Sequence, residues 1–219
     1  MTDLNSLKDE VLSAIALSGD DGTYSDEAYD KVQAAIQSLV PHTPTPRPVD
    51  KQEFVSSAWG TLYAQFGPRH TAGKPIEHVS NLKILSWAKF PEIAIRMKRL
   101  EQEIDHATHA YNNLHYVTPV DGGMDAVYRV FGEYTLDEDE PQRYKVNFYK
   151  GDFVGLSGES PDEVRAAFGM DPDQPLEVEL QSPKLHSDVV YVDGDMRINF
   201  GSVGGVYVLK RLSSPMQSV

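Results

Sequence analysis

Asp193, Asp195 and Arg197 form the one charged group in this chain whose spacing suggests a shared task. Steps of two along extended backbone place all three on one side of a hairpin, with a turn between them. Exposed, such a group would amount to an ion pair contributing about 0–1 kcal/mol. Asp105-His106-Ala-Thr-His109, with His115 six residues on, holds the residue types of a metal site. His106 and His109 would share a face only on a helix, and the flanking sequence reads as strand, where they diverge. We therefore read a structural or surface role and no metal. Asp137-Glu-Asp-Glu-Pro141 is acidic but lacks the ligand spacing and glycine of a calcium loop, so it reads as a solvated hairpin tip. Gly151-Asp-Phe-Val-Gly-Leu-Ser-Gly158 is glycine-rich without the lysine and helix that phosphate binding needs. No Gly-x-Ser-x-Gly elbow, Walker loop, dinucleotide fingerprint or His-Glu-x-x-His occurs. Asp105, His115 or Asp195 could supply an acid or base to a small hydrolase or isomerase, but no spacing supports one. The expectation is a non-enzyme with no cofactor.

The elements that must position these residues are strands. Asp188–Val192 is rich in β-branched and aromatic residues. Asp193-Gly194 is the dipeptide that best tolerates the positive φ of a two-residue hairpin turn. Asp195–Phe200 alternates, with Met196, Ile198 and Phe200 on one face and Asp195, Arg197 and Asn199 on the other. Gly201, Gly204 and Gly205 make a looser turn, and Val206–Lys210 closes the meander. Upstream strands are predicted at Ser57–Phe66, Val79–Trp87, Met124–Leu136, Arg143–Lys150, Asp152–Leu156 and Leu176–Gln181. Pro91–Leu100 permits either a helix or a strand. Ser160-Pro-Asp-Glu163 is a capping box that opens a short helix to Phe168.

Residues 3–18 place Leu4, Leu7, Val11, Leu12 and Ile15 at helical spacing, and Ser25 caps a second stripe of Ala28, Val32, Ala35, Ile36 and Leu39. The pair predicts a helical hairpin packed on a barrel wall or mouth. Four prolines between Pro41 and Pro48 predict an extended connector. With 219 residues the chain can bury a substantial core. A formal net charge of −13 argues against a nucleic-acid surface and against a purely electrostatic dock on anionic membranes. The absence of cysteine excludes disulfides, thiol catalysis and thiolate metal sites. The acidic start lacks the features of a secretory or transit peptide, and no apolar run approaches about 20 residues. The expected setting is cytoplasmic, or that of a chain whose targeting segment has been removed.

Tyr191-x-Asp193-x-Asp195-Met196-Arg197-Ile198, followed by Gly201, Gly205 and Val206-Tyr-Val-Leu209, resembles the C-terminal signature of the plastid lipid-associated protein (PAP, or fibrillin) family. The family usually carries an Arg where Phe200 stands here. Trp59-Gly-Thr-Leu-Tyr63 is similar to its opening Gly-x-Trp-x-Leu-x-Tyr strand, with Ser57 in place of the glycine. Gln102-x-Ile104-Asp105, then Asn112 or Asn113 before Leu114–Val117, is similar to its Gln-x-Ile-Asp…Asn-x-Val block. The helical pair and proline link stand in the family's order.

The resemblance implies a mainly β (α+β) fold: a lipocalin-like antiparallel barrel over residues 51–212, with a helical hairpin at 1–40 and a connector at 41–50. It implies a non-catalytic binder of a small hydrophobic ligand, either a lipid or an isoprenoid or quinone-like molecule. Trp59, Tyr63, Tyr191, Phe200 and Tyr207 would line the cavity. Trp59 would plug the closed end, or serve as plain core packing. Arg197, pointing into the mouth and paired by a carboxylate, would anchor a polar head. The alternative is a side-chain-filled barrel that docks a protein partner. Membrane contact would be at most peripheral.

Overall fold

The computed structural model describes residues 3–75 and 78–212. Helices α1 (Leu4–Ile15) and α2 (Asp26–Leu39) form the expected hairpin. Ser25 caps α2 by accepting from the Ala28 amide, and Asp26 and Glu27 sit in its first turn, where the helix dipole favours them. The proline-rich link is less extended than expected. Short 3-10 turns at Val40–His42 and Pro48–Asp50 bracket it, and a one-turn helix, α3 (Gln52–Val55), follows.

The strands then come in order. They are β1 (Ser57–Phe66), β2 (Val79–Asn81), β3 (Ala94–Asp105), β4 (Ala110–Pro119), β5 (Ala126–Leu136) and β6 (Arg143–Gly155). After them come β7 (Glu177–Glu179), β8 (Leu185–Val192), β9 (Met196–Gly201) and β10 (Gly205–Arg211). Two further helices are α4 (Leu82–Leu85) and α5 (Pro161–Ala167), the latter opened by the Ser160–Glu163 capping box. Eight strands close an antiparallel barrel in the order β1-β10-β9-β8-β6-β5-β4-β3 and back to β1. β2 lies on β3 and β7 on β6, outside that ring. Two joints in the ring are short. β1 meets β3 through Ser57–Gly60 opposite Ile104–Glu101, and β6 meets β8 through Arg143–Val146 opposite Asp188–Leu185.

Three local expectations change. The apolar run Val79–Trp87 is not one strand: Asn81 accepts from the Lys83 amide and starts α4, and Trp87 and Ala88 turn the chain at φ 49° and 63°. Pro91–Leu100 resolves as strand because pairing with β4 outweighs its helical composition. Gly194 does not take positive φ. Asp193 Oδ1 instead accepts from the Asp195 and Met196 amides, so a side chain closes that turn.

The helical hairpin covers the outside of the wall formed by β1, β10, β9 and β8. Leu7, Val11, Ile15, Val32, Ile36 and Leu39 pack there with Tyr63, Val190, Tyr191, Met196, Ile198 and Val208. Each fully buried aliphatic side chain of this layer contributes about 1.5–3 kcal/mol. A second core fills the barrel itself. One end of the barrel is plugged by residues 48–59. The Tyr144 hydroxyl donates to the Pro48 carbonyl at 3.1 Å, that of Tyr134 to Gln52 at 2.8 Å, and the Trp59 indole to the Val55 carbonyl at 2.8 Å. The other end is covered by a lid, Leu82–Phe90, and by α5. Phe90 lies 5.5 Å from Tyr128 and 5.9 Å from Phe153, and Phe168 lies 4.7 Å from Phe153.

Candidate functional site in the barrel interior

The inward faces of the strands are mostly aromatic and aliphatic, but a band of polar side chains crosses them. Arg197 on β9 is fully buried. Alternation puts Asn199 on the same face, two residues on. Gln102 and Asn113 face each other across the β3–β4 pair, and Tyr111 stands two pairs closer to the plugged end. Arg197 Nη2 donates to Gln102 Oε1. The Tyr111 hydroxyl lies 3.3 Å from Gln102 Oε1 and 3.2 Å from Ser187 Oγ. The band therefore ties opposite walls together.

It is also incompletely satisfied. Arg197 Nε and Nη1, Thr61 Oγ1, Asn113 Oδ1, Asn199 Oδ1, His115 Nδ1 and the Tyr128 hydroxyl are buried without a hydrogen-bond partner. Buried polar atoms in folded proteins are nearly always paired, so a cluster of free ones on one inner surface calls for an explanation. Arg197 is the sharpest case. Burial lowers its pKa to about 10, which still leaves it charged at neutral pH. Its guanidinium carbon is 4.9 Å from the Trp59 ring centroid, and that of Arg211 is 4.5 Å from the same ring. The cation–π contact offsets part of the cost of burial. Burial also lowers the pKa of His115 to about 4, so its imidazole is neutral.

The sequence-predicted site residues fall on two sides of the wall. Trp59, Arg197 and Tyr207 belong to the inner face; Tyr63, Tyr191 and Phe200 do not. Simple alternation would carry Tyr63 inward with Trp59 and Thr61, but a bulge between Thr61 and Tyr63 shifts the register by one. A bulge between Val189 and Tyr191 does the same on β8. Tyr63 and Tyr191 consequently lie under the helices, where Gln33 donates to the Tyr63 hydroxyl at 3.1 Å. Phe200 is 37 % exposed on the outer face. The expected pairing of Arg197 with a neighbouring carboxylate is absent among the described residues. Asp193 instead binds Lys8 Nζ on α1 at 2.8 Å and the Tyr191 hydroxyl at 2.6 Å, while the Asp195 side chain is 88 % exposed. Arg197 also stands deep in the barrel, not at its mouth. Gln102, Tyr111, Asn113, Ser187 and Asn199 join the site without having been singled out. For Asn199 the signal was its alternation with Arg197.

Other candidates carry less. The histidine run at 106–109 is a turn, with His109 at φ 57°. Among the described residues no group of three or more His, Asp or Glu could hold a metal ion. A groove of about 390 Å³ lies outside the barrel between β5, β6 and residues 182–186. Several of its charges already pair with one another or with neighbours, Lys145 with Asp137 at 3.0 Å and Arg143 with Asp188 at 2.8 Å. Among the described residues no helix is long and apolar enough to cross a membrane.

A comparison with curated proteins returns no match. The PAP_fibrillin family model matches residues 5–210, from the first helix to the last strand. With the closed eight-stranded barrel and its helical hairpin, that match over nearly the whole chain shows that the protein belongs to the PAP/fibrillin family, whose members are lipid-associated.

Proposed function

We propose that this chain is a non-catalytic binder of a small, largely hydrophobic molecule, a lipid, isoprenoid or quinone-like compound, held in the barrel with its polar end at the Arg197–Gln102 band. The observation that supports this most is the set of unpartnered polar atoms on an otherwise aromatic inner surface. Such a surface is amphipathic in the same sense as the ligand. In this reading Trp59 and Tyr207, which face inward, line the cavity and Arg197 anchors the polar head. Entry is through the lidded end. The lid holds Trp87 and Ala88 in left-handed backbone, which costs about 1–3 kcal/mol each and so lowers the cost of opening it. Val79, Ile84, Leu156 and Val203 are exposed apolar side chains around the same end, which suits uptake from a lipid phase with peripheral contact only.

The test is native mass spectrometry of protein from its own host, then organic extraction. A hydrophobic species at near 1:1 supports the reading. Repeated absence of any ligand, with no rise in melting temperature on adding lipids or prenyl quinones, refutes it.

A second reading, a side-chain-filled barrel serving as a protein-interaction module, has its own support. A Cβ added at Gly151 would meet the Tyr128 hydroxyl oxygen at 2.5 Å, and one at Gly132 would meet the Phe148 ring at 2.6 Å. Large rings here use the space glycines leave, which is how a filled interior is built. Failure of the extraction experiment would favour it.

A further inference from the structure

We propose that the molecule this barrel takes is a single-charged anion, a carboxylate-headed amphiphile, whose negative charge is received by Arg197. The inference rests on the reading of the interior as a binding site and names its ligand class. Arg197 is fully buried, and among the described residues no Asp or Glu forms an ion pair with it. Its one protein hydrogen bond in the cluster goes to a neutral amide oxygen, leaving Nε–H and both Nη1 protons directed at no acceptor. A guanidinium cannot discharge itself at physiological pH. A buried charge left without a counter-ion costs several kcal/mol. The whole chain carries −13, yet among the described residues no carboxylate pairs with this arginine. Asp193, the nearest in sequence, is engaged by Lys8 and Tyr191 on the opposite side of the wall.

The stoichiometry of charge decides between anions. His115 is neutral, and the adjacent cation, Arg211, is directed to the carbonyls of Phe54 and Gly194 at the plugged end. One guanidinium then matches one negative charge, which fits a single-charged head such as a carboxylate and not a phosphate dianion. The surroundings fix the rest of the molecule. From Gln102 toward the lid, β3 presents Leu100, Met97 and Ile95 to the interior, beside Val117 on β4, Val130 and Tyr128 on β5 and Phe153 on β6. Seven residues of strand at about 3.3 Å each give an apolar wall roughly 23 Å long, which matches the length of a long hydrocarbon tail. Thr61 Oγ1, free on the same inner face, supplies one further hydroxyl donor for the head.

The experiment uses the full chain, stripped of lipid, titrated at pH 8 with hexadecanoate, 1-hexadecanol and acetate, and repeated on the Arg197→Met/Gln102→Leu double variant. Removing both partners avoids leaving the Gln102 oxygen orphaned. Wild type should bind hexadecanoate near 1:1 at least about tenfold tighter than hexadecanol, and the double variant should lose that preference. The unliganded double variant should melt at or above wild type, because an uncompensated charge has been removed. Equal binding of acid and alcohol would overturn the anionic head while leaving the binding reading intact. Binding of neither would overturn both. Stabilisation by millimolar acetate matching that of hexadecanoate would overturn the amphiphile in favour of a small anion. A double variant that melts well below wild type, with its acid preference unchanged, would make Arg197 a structural residue and end the proposal.

Discussion

His115 sets how this barrel should respond to acid. It sits on the inner face of β4, stacked 6.0 Å from Tyr128, with Nδ1 unpartnered. Burial lowers its pKa from 6.5 to about 4. The unfolded chain therefore takes up a proton near pH 6.5, while the folded chain resists until near 4. Between those values the unfolded state binds more protons, so stability falls as pH falls. The separation is about 2.5 units, and at about 1.36 kcal/mol per unit the loss approaches 3 kcal/mol by pH 4, with none above pH 6.5. The assay is urea unfolding at pH 7.5, 6, 5 and 4 for wild type and His115→Leu. Surface carboxylates titrate alike in both proteins, so the difference between the two stabilities isolates the histidine. That difference should move by about 3 kcal/mol in favour of the variant across the range. Parallel curves from pH 7.5 to 4 would refute the reasoning and mean that the imidazole protonates in the folded state without penalty.

Four further outcomes follow from the packing. Tyr128→Phe removes a buried hydroxyl with no partner and should stabilise by about 1 kcal/mol. Gly151→Ala should cost about 1–3 kcal/mol, part of it recovered in the Tyr128→Phe background, as a double-mutant cycle by urea denaturation will show. Tyr63→Ala should destabilise by about 3–5 kcal/mol through the helix-covered layer yet leave ligand affinity unchanged, whereas Trp59→Ala should impair both; thermal unfolding and ligand titration separate the two. Arg143→Ala removes the paired hydrogen bonds to Asp188 Oδ1 and Oδ2, both at 2.8 Å, and should lower stability by about 1–2 kcal/mol, read from the denaturation midpoint.

Much of the fold was legible because its signals are local. Ser25 and Ser160 announce helix starts through their side-chain oxygens, and the alternation of Met196, Ile198 and Phe200 against Arg197 and Asn199 announces β9. What alternation could not say is which face is the inside. Met196 and Ile198 look like the core face, and they are buried, but beneath α1 and α2. The face that enters the barrel is the one with the arginine. Nor could spacing reveal the bulges in β1 and β8, each a single inserted residue with no composition of its own, and these move Tyr63 and Tyr191 out of the site. The Asp193–Asp195–Arg197 group was misjudged for a related reason: the turn between strands reverses the facing of its carboxylates, and Lys8, distant in sequence, claims Asp193.

The two short joints of the ring divide it into half-shells. β8, β9, β10 and β1 carry the helical hairpin on their backs, while β3 to β6 carry none of it. Ladders of ten and eleven residue pairs hold β3 to β4 and β5 to β6, against four at each joint. In hydrogen exchange the halves should therefore behave as separate cooperative units. Amides at Ser57–Gly60 and Arg143–Val146 should exchange through a partial opening well below the global unfolding free energy, ahead of those at the centres of the two halves. The polar band spans that division, with Arg197 and Ser187 on one half and Gln102 and Tyr111 on the other. A ligand held there would act as a cross-link between two foldons and slow exchange at both joints together.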